Sequence, residues 1–432
     1  MNKETNVVGF SMGSLGNNLI SGVVGTYLLT FYTEVYGIPA FAAGVIMLLA
    51  KIWDAVNDPM IGMLADRRKP GKNGKYRPML RIFGPLFALF AVLSFCSPEL
   101  PIAGRIVWAC VTYIGYGMLF TCFDVPFWAC VNRLNVNTEK RNTAIGMARS
   151  MIMWAMLISS MFFTQIAGVL GNGNDRMGYP LALLAFAVPG VILMLICYRS
   201  ARETVVEEPQ ADHISMIQMF KNLFKVLTPQ LGFTYIVAML AGLCVTLGPT
   251  VGVYFMLYYM GDVSKISLYM FCCIGSVAIA SLFGASIQKR ISEKKLLILC
   301  CAISAVANIG IWFVGNQGMV ITLVLVFISG LGCGIANVPM ISLVLKMANR
   351  AAKKNNTRAD ASVMSLNSLA TKIGQALASF FPSLILTATG YVANAEQTDS
   401  ALRGILITRS VLPAVLLAIA VVIVAAIRVR ED

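Results

Sequence analysis

Asp54 and Asp58 lie four residues apart in an apolar stretch, with Asn57 beside them. On a helix this spacing places the two carboxylates on one face, one turn apart, with the amide flanking that face. The carboxylates repel each other unless a cation lies between them, and a hard cation such as Na⁺ prefers the oxygen ligands that these side chains offer. Alternatively, one carboxyl takes up a proton, which a like charge and burial both favour. Either chemistry predicts a site for a monovalent cation.

The structural alternative for these acids is an ion pair. Lys51 lies three residues before Asp54, and a basic residue on another span is a second candidate partner. Ionisable groups inside a membrane are costly and usually either pair with one another or serve a function. Partial pairing of Lys51 with Asp54 is compatible with a cation site.

A second group follows one helical stripe around Pro126 and consists of Thr121, Asp124 and Trp128. A carboxylate accepts hydrogen bonds from sugar hydroxyls, and an indole ring stacks on the apolar face of a pyranose. Pro126 removes a backbone hydrogen bond and loosens the helix locally. The pattern predicts a sugar site, whereas the structural alternative for Trp128 is an anchor at the membrane interface.

Basic side chains complete the candidate chemistry. Arg149 lies about two turns from the start of its apolar stretch and can donate to Asp124 or to a substrate, or it can extend to the membrane surface. Lys372 lies too deep in its stretch to reach the surface easily. Arg409 is near the start of the last stretch and could reach the surface. We therefore expect Lys372 to be the one firm intramembrane charge of the second half, facing the substrate cavity.

The composition indicates that a membrane surrounds these groups. Hydrophobic residues make up 58% of the 432 positions, charged residues 12%, and the mean hydropathy is +0.75. Soluble domains carry about 25% charged residues. The apolar runs are long enough for helices to cross a bilayer and lack the alternation of barrel strands. The net charge of +14 is spread over short clusters between these runs, which argues against nucleic acid as a partner.

The fold class predicted is an all-α polytopic membrane protein with about twelve transmembrane helices in two six-helix halves. The spans are placed at about 8–36, 40–66, 79–97, 103–132, 143–168, 179–199, 229–260, 264–288, 296–314, 318–346, 362–390 and 404–428. A polar stretch separates the halves. The predicted domains are an N-terminal bundle at 1–200, a cytoplasmic linker at 201–228 and a C-terminal bundle at 229–432.

Loop charges predict the orientation. The loops after spans two, eight and ten carry clusters of Lys and Arg, whereas the intervening loops hold few basic residues. Because short cytoplasmic loops carry the excess of basic residues, both termini are expected to face the cytoplasm.

A weak internal repeat favours two related halves. Gly62 near the end of span two corresponds to Gly284 near the end of span eight, and the sequence Asp-Val-Pro at 124–126 corresponds to Asn-Val-Pro at 337–339. Paired six-helix halves with a substrate site between them near mid-membrane are typical of major facilitator transporters.

Three runs carry a resemblance to a known family: KIWDAVNDP at 51–59, GKYRP at 74–78 and FDVPFW at 123–128. They resemble the signatures of the glycoside-pentoside-hexuronide:cation symporter family of the major facilitator superfamily, which includes the melibiose carriers. The resemblance extends through Arg149 and the run TKIG at 371–374 to the end of span twelve, and so covers essentially the whole chain.

The resemblance implies which residues bind the coupling ion and the substrate. It implies a cation site, for Na⁺ where coupling is to sodium, formed by Asp54, Asn57, Asp58 and Thr121. It implies a sugar site formed by Asp124, Trp128, Arg149 and Lys372, with an outer contribution from Gly16, Asn17 and Asn18.

The chain departs from the family pattern at two places. Melibiose carriers have an aspartate where this chain has Asn18. Loss of that acceptor weakens the expectation of a galactoside substrate and makes an acidic sugar easier to admit. The family usually has acidic residues and Thr-Gly ahead of an Arg between spans ten and eleven, whereas 347–360 has neither ahead of Arg358, so the contacts that close the cytoplasmic gate are expected to differ.

These observations predict a secondary symporter in a bacterial inner membrane, embedded in lipid, that couples entry of Na⁺ or H⁺, with Li⁺ as a further candidate, to uptake of a glycoside, pentoside or hexuronide. No cofactor is expected. The chain has no ATP-binding loop, and its one histidine lies in the linker, so neither an ATP-driven pump nor an enzyme is predicted. A non-transporting sugar receptor and a facilitator of another small solute are the alternatives.

Overall fold

The computed structural model describes residues 4–67, 71, 74–203, 228–315, 317–355 and 360–427. Almost all of these residues are helical, and twelve helices are long and apolar enough to cross a membrane. The predicted fold class is confirmed. Contacts along the chain divide it into two compact units, Met1–Glu207 and Glu208–Asp432. Most of the predicted linker, residues 204–227, lies outside the described residues, so its bounds stay a prediction.

The first unit contains six helices. They are α1 (Val7–Thr30), α2 (Ala40–Arg67), α3 (Arg77–Ser94), α4 (Ile102–Val131), α5 (Thr138–Gly171) and α6 (Asp175–Ser200). α1 packs against α5 and α6, and α2 packs against α4. Gly16 allows a close approach of the two backbones, because a Cβ added there would lie 2.4 Å from the carbonyl oxygen of Gly190 in α6.

The second unit repeats this arrangement. Its helices are α7 (Pro229–Tyr254), α8 (Ile266–Met270, Phe271–Gly275 and Ser276–Gln288), α9 (Glu293–Val314), α10 (Met319–Asn355), α11 (Asp360–Ala388) and α12 (Asp399–Leu406, Ile407–Val411 and Leu412–Ala426). α7 packs against α11 through Gly374, whose added Cβ would lie 2.0 Å from the Met239 carbonyl oxygen. α8 packs against α10.

Wider π turns interrupt four of the spans. α1 continues into Phe31–Val35, and α7 continues into Phe255–Tyr259 at the matching end. Phe271–Gly275 lies within α8 and Ile407–Val411 within α12. Such turns change the direction of side chains along a helix and are frequent at functional sites.

α2 and α4 contact each other through a set of facing residues spaced four apart on each helix, which we call the α2–α4 contact row. Along it, Gly117 faces Asp54, Thr121 faces Asp58 and Val125 faces Gly62. A Cβ added to Gly117 would lie 2.4 Å from Asp54 Oδ1, and one added to Gly62 would lie 3.9 Å from Val125 Cγ1. The Thr121 hydroxyl donates a 2.9 Å hydrogen bond to Asp58 Oδ1. The row therefore places both acids of α2 against α4.

The α8–α10 contact row has the same spacing in the second unit. Along it, Gly330 faces Ser276, Gly334 faces Ala280 and Val338 faces Gly284. The closest atoms to Cβ atoms added at Gly330 and Gly334 include Ser276 Oγ at 1.8 Å and Ala280 Cβ at 2.7 Å. A Cβ added to Gly284 would lie 2.9 Å from Val338 Cγ2. The short repeat seen in the sequence thus corresponds to two helix pairs in the same register, with the acids of the first pair replaced by Ser and Ala in the second.

Glu203 fixes the start of α3. The backbone N–H of Lys75 donates to Glu203 Oε2 at 2.7 Å, that of Tyr76 to Oε1 at 2.9 Å, and that of Arg77 also to Oε1. Unpaired N–H groups and the helix dipole make a helix N-terminus a favourable position for a carboxylate. Glu203 belongs by sequence to the linker, yet it holds the GKYRP segment to the first unit.

Candidate functional site

The α2–α4 contact row forms the centre of the candidate cation site. Asp58 is half-buried and accepts the hydrogen bond from Thr121, which is itself buried. Pro59 follows Asp58 inside α2, and because proline has no N–H, the Ala55 carbonyl has no helical donor. The Asp58 carboxylate and the Thr121 hydroxyl therefore meet next to the turn in which the Ala55 carbonyl lacks its helical donor.

Asp54 is paired with a lysine. Lys51 Nζ lies 3.1 Å from Asp54 Oδ2, and the Asp54 residue is 7% exposed. The ion pair considered from the sequence is therefore present for Asp54. The charges of Lys51 and Asp54 therefore offset each other.

Asn57 supplies the least satisfied polar group of this region. Its residue is 2% exposed, and Nδ2 has no hydrogen-bond partner among the described residues. Buried amides are nearly always paired, and a half-turn of the amide exchanges its nitrogen and oxygen. Turned in this way, Asn57 has its oxygen at the position that lacks a hydrogen-bond partner in the described part of the chain. A cation bound at that position would then be coordinated by the amide oxygen of Asn57.

The described residues contain no group of three or more His, Cys, Asp or Glu side chains that could hold a metal ion. The candidate set is instead two carboxylates with an amide and a hydroxyl: Asp54, Asp58, Asn57 and Thr121. Such a low-charge oxygen set suits a monovalent cation better than a divalent ion, which usually gathers more carboxylates.

Asp124 and Trp128 lie one turn apart on α4, as expected. Asn17 of α1 donates from Nδ2 to Asp124 Oδ1 at 3.2 Å, and the Trp128 indole lies within interaction range of the same carboxylate. The indole stands edge-on to Phe127, with ring centroids 5.3 Å apart. The structure thus brings together a carboxylate, an aromatic face and an amide, which suit the hydroxyls and the apolar face of a sugar.

Asn17, rather than Asn18, makes the α1 contact to Asp124. The half-buried Asn18 donates its amide to the Ser14 carbonyl oxygen at 2.9 Å, one turn back in the same helix. Asn17 is buried, and its backbone carbonyl oxygen accepts a 2.9 Å hydrogen bond from the Ser21 hydroxyl. Both residues follow from the resemblance, but the sequence alone does not show which of two neighbouring amides faces α4. A role for Asn18 in binding substrate stays a prediction.

The structure does not bring Arg149 to Asp124. Arg149 is exposed on α5 and makes no hydrogen bond or ion pair with any described residue. Lys372 lies half-buried on α11, within the span Leu366–Ala388 of the second unit. Substrate contacts by these two residues stay predictions.

Arg409 differs from its expected position. It is 3% exposed, its Nη1 lies 2.9 Å from Asn308 Oδ1, and its Nε donates to the Tyr269 hydroxyl. The expectation that it could reach the surface is wrong, because α12 begins at Asp399 and Arg409 lies more than two turns inside the helix. Lys372 is therefore not the one intramembrane cation of the second half.

The chain is similar in sequence to known membrane transporters. The sequence model of the family described as MFS/sugar transport protein matches residues 9–431. The uncharacterized symporter YnaJ of Bacillus subtilis is 29% identical over 420 residues, which cover 96% of this chain and 89% of that protein. The isoprimeverose transporter of Lactiplantibacillus pentosus is 28% identical, with 92% of this chain and 82% of that protein covered. The glucuronide carrier protein homolog of Escherichia coli is 25% identical, with 97% and 91% covered.

The fold is also found among solved structures. A bacterial homolog of the human lysosomal transporter Spinster superposes with a TM-score of 0.73, covering 99% of this chain and 98% of that one. The two sequences are 12% identical, so the likeness concerns the fold alone.

Proposed function

Because the chain belongs to the MFS/sugar transport protein family, it is a multi-pass membrane transporter and not an enzyme, and we propose that it is a secondary symporter that couples entry of Na⁺ or H⁺ to uptake of a glycoside, pentoside or hexuronide. The proposal includes a bacterial inner membrane as the location of the protein. Both termini are placed in the cytoplasm, because the basic loops alternate as the positive-inside rule requires.

The observation that carries the coupling proposal is the group formed by Asp58, Thr121 and the buried, half-satisfied amide of Asn57. The Lys51–Asp54 pair offsets the charge of one of the two acids, and the proposal assigns the Asp58 carboxylate as the charged ligand of the cation. A buried net charge is costly in a membrane, so a bound cation stabilises the group when it becomes enclosed. In alternating access, the site is enclosed each time the transporter changes from one side of the membrane to the other. If enclosure requires the bound cation, the cation and the substrate must cross together.

The sugar proposal rests on Asp124 of the first unit and on its interactions with Asn17 and Trp128. Relatives named for isoprimeverose and for glucuronides support both neutral and acidic sugars as candidate substrates. Asn18 has no negative charge, which favours acceptance of a sugar carboxylate, because like charges a few ångströms apart repel even at an effective dielectric of about 20.

Uptake by membrane vesicles tests the proposal. A panel of neutral glycosides and uronides would be offered with an inward Na⁺ gradient, with an inward H⁺ gradient, and with no ion gradient. We expect at least one sugar to accumulate above its external concentration only when one of the gradients is present. Equilibration without accumulation would indicate a facilitator, and binding without entry would indicate a receptor; either result contradicts symport.

Removing the carboxylate in Asp124→Asn or the indole in Trp128→Ala is expected to weaken sugar binding by about 1–3 kcal/mol, or roughly 5- to 150-fold in Kd. In Asp124→Asn the sugar hydroxyls lose a charged acceptor, whereas the new amide oxygen can still accept the hydrogen bond from Asn17. Isothermal titration with purified protein measures the change. Trp154→Ala is the matched control, because it removes the same side chain at a position that is 59% exposed on α5. Equal affinities in all three variants would move the sugar site elsewhere.

A further inference from the structure

The second unit contains a buried arginine that the proposed transport chemistry does not use. Arg409 lies on the π turn Ile407–Val411 of α12, and its guanidinium stands 5.5 Å from the centroid of the Tyr269 ring. Nε donates to the Tyr269 hydroxyl, which in turn donates to the Gly248 carbonyl oxygen at 3.1 Å. The guanidinium is therefore held in one orientation.

A polar network fixes the amide that faces Arg409. Asn308 Nδ2 donates to the Ser304 carbonyl oxygen and to Ser329 Oγ, each at 2.7 Å. Since both amide hydrogens are used, Oδ1 must point toward Arg409 Nη1, 2.9 Å away. A neutral amide oxygen accepts from the guanidinium but does not balance its charge.

No described acidic side chain of the second unit forms an ion pair with Arg409. Four acidic side chains are described there: Asp262 and Glu396 lie in loops, and Glu293 and Asp399 lie at helix starts. A buried charge without a counter-charge costs several kcal/mol, more so at membrane depth. The protein itself thus leaves this cation electrically unbalanced in the part of the chain that the structure describes.

A cavity of about 30 Å³ opens beside the guanidinium. Its lining includes Arg409, Asn308, Ser329, Gly248, Cys273 and Cys333. The guanidinium carries more N–H donors than its contacts to Tyr269 and Asn308 use, and Nη2 has no acceptor among the described residues. The space exceeds what one water needs and suits a single small ion or the head of an anionic group.

We propose that the Arg409 cavity binds a monovalent anion, either free in solution as a halide or carried on the substrate as a carboxylate. The guanidinium supplies the charge and unused donors, and the Asn308–Ser329 network holds it rigid. Only the second source rests on the proposed sugar transport; binding of a free halide does not depend on it.

Thermal unfolding of purified protein tests the proposal. Sodium chloride, sodium glucuronate and neutral methyl glucoside would each be added to a sulfate buffer of matched ionic strength and sodium concentration. Saturating anion is expected to raise the Tm of the wild type by at least about 2 °C, because a ligand that binds the folded state stabilises it by mass action. A response to chloride identifies a free anion. A response to glucuronate, with none to chloride or methyl glucoside, identifies the substrate carboxylate.

Asn308→Asp is the decisive variant, because it places a carboxylate 2.9 Å from Nη1 without changing shape. We expect it to remove the response to added anion, because the new carboxylate supplies the counter-charge of Arg409. Arg409→Gln should also remove the response, whereas Arg403→Gln, at an exposed position of the same helix, should keep it. An anion-insensitive wild type, or an unchanged response in Asn308→Asp, would overturn the proposal. Asp58→Asn should retain the response, so loss of coupled uptake and loss of anion binding can be told apart.

Discussion

Replacing Asp58 with Asn is expected to abolish gradient-driven accumulation while leaving measurable sugar binding. The Asn amide can still accept the hydrogen bond from Thr121, so the α2–α4 contact row keeps its shape. The negative charge that attracts the cation is lost, since the remaining acid, Asp54, is paired with Lys51 at 3.1 Å. Loss of one partner of a buried charge pair costs about 3 kcal/mol, which corresponds to a roughly 150-fold weaker cation affinity.

The measurement is uptake in vesicles with an imposed Na⁺ or H⁺ gradient, together with sugar binding to the purified variant. Ser276→Ala is the matched control, because Ser276 occupies the position of the α8–α10 contact row that corresponds to Asp54. That control should accumulate substrate normally. Undiminished uphill uptake by Asp58→Asn would remove Asp58 from the coupling site.

Gly117→Ala is expected to impair the cation response without removing any ligand. The new Cβ would lie 2.4 Å from Asp54 Oδ1 and 3.3 Å from Asp54 Cγ, so the carboxylate must move away from α4. We expect the half-saturating cation concentration to rise about tenfold or more, equivalent to roughly 1.4 kcal/mol. Folding should survive, because alanine has a higher helix propensity than glycine by about 1 kcal/mol.

Uptake measured against cation concentration tests this effect. Gly146→Ala is the control, because a Cβ added there meets nothing within 4 Å. A normal cation response in Gly117→Ala, with correct folding, would show that the carboxylate of Asp54 need not keep its position for coupling.

Hydropathy predicts the number of spans well, because crossing a bilayer requires a minimum apolar length. It predicts their ends less well. α5 begins at Thr138 and not near 143, since Asn137 caps the helix by accepting from the Lys140 N–H at 2.8 Å. Polar first turns continue a helix beyond the apolar region, and hydropathy does not register them.

The candidate site was predictable where one helix provides its spacing. Asp54, Asn57 and Asp58 lie together because four residues make about one turn. Contacts between helices were harder to predict from the sequence. The side chain that reaches Asp124 is Asn17, and whether Asn17 or Asn18 does so depends on the rotation of α1 about its axis. The depth of Arg409 was predicted wrongly for a different reason: the amphipathic first turns of α12 resemble a loop in hydropathy, so the helix was expected to begin later than it does.

If the proposed cation site is correct, the two contact rows also predict an electrical property of transport. The α2–α4 row holds two acids, whereas the corresponding positions of the α8–α10 row hold Ser276 and Ala280, so the proposed assignment gives one cation position per molecule. A cycle with a neutral glycoside then moves one net charge, and a potential of 100 mV contributes about 2.3 kcal/mol, or roughly 50-fold in accumulation. With a singly charged uronide the charges of ion and sugar cancel, and the membrane voltage contributes nothing. The same transporter would therefore concentrate a neutral sugar more steeply than an acidic one.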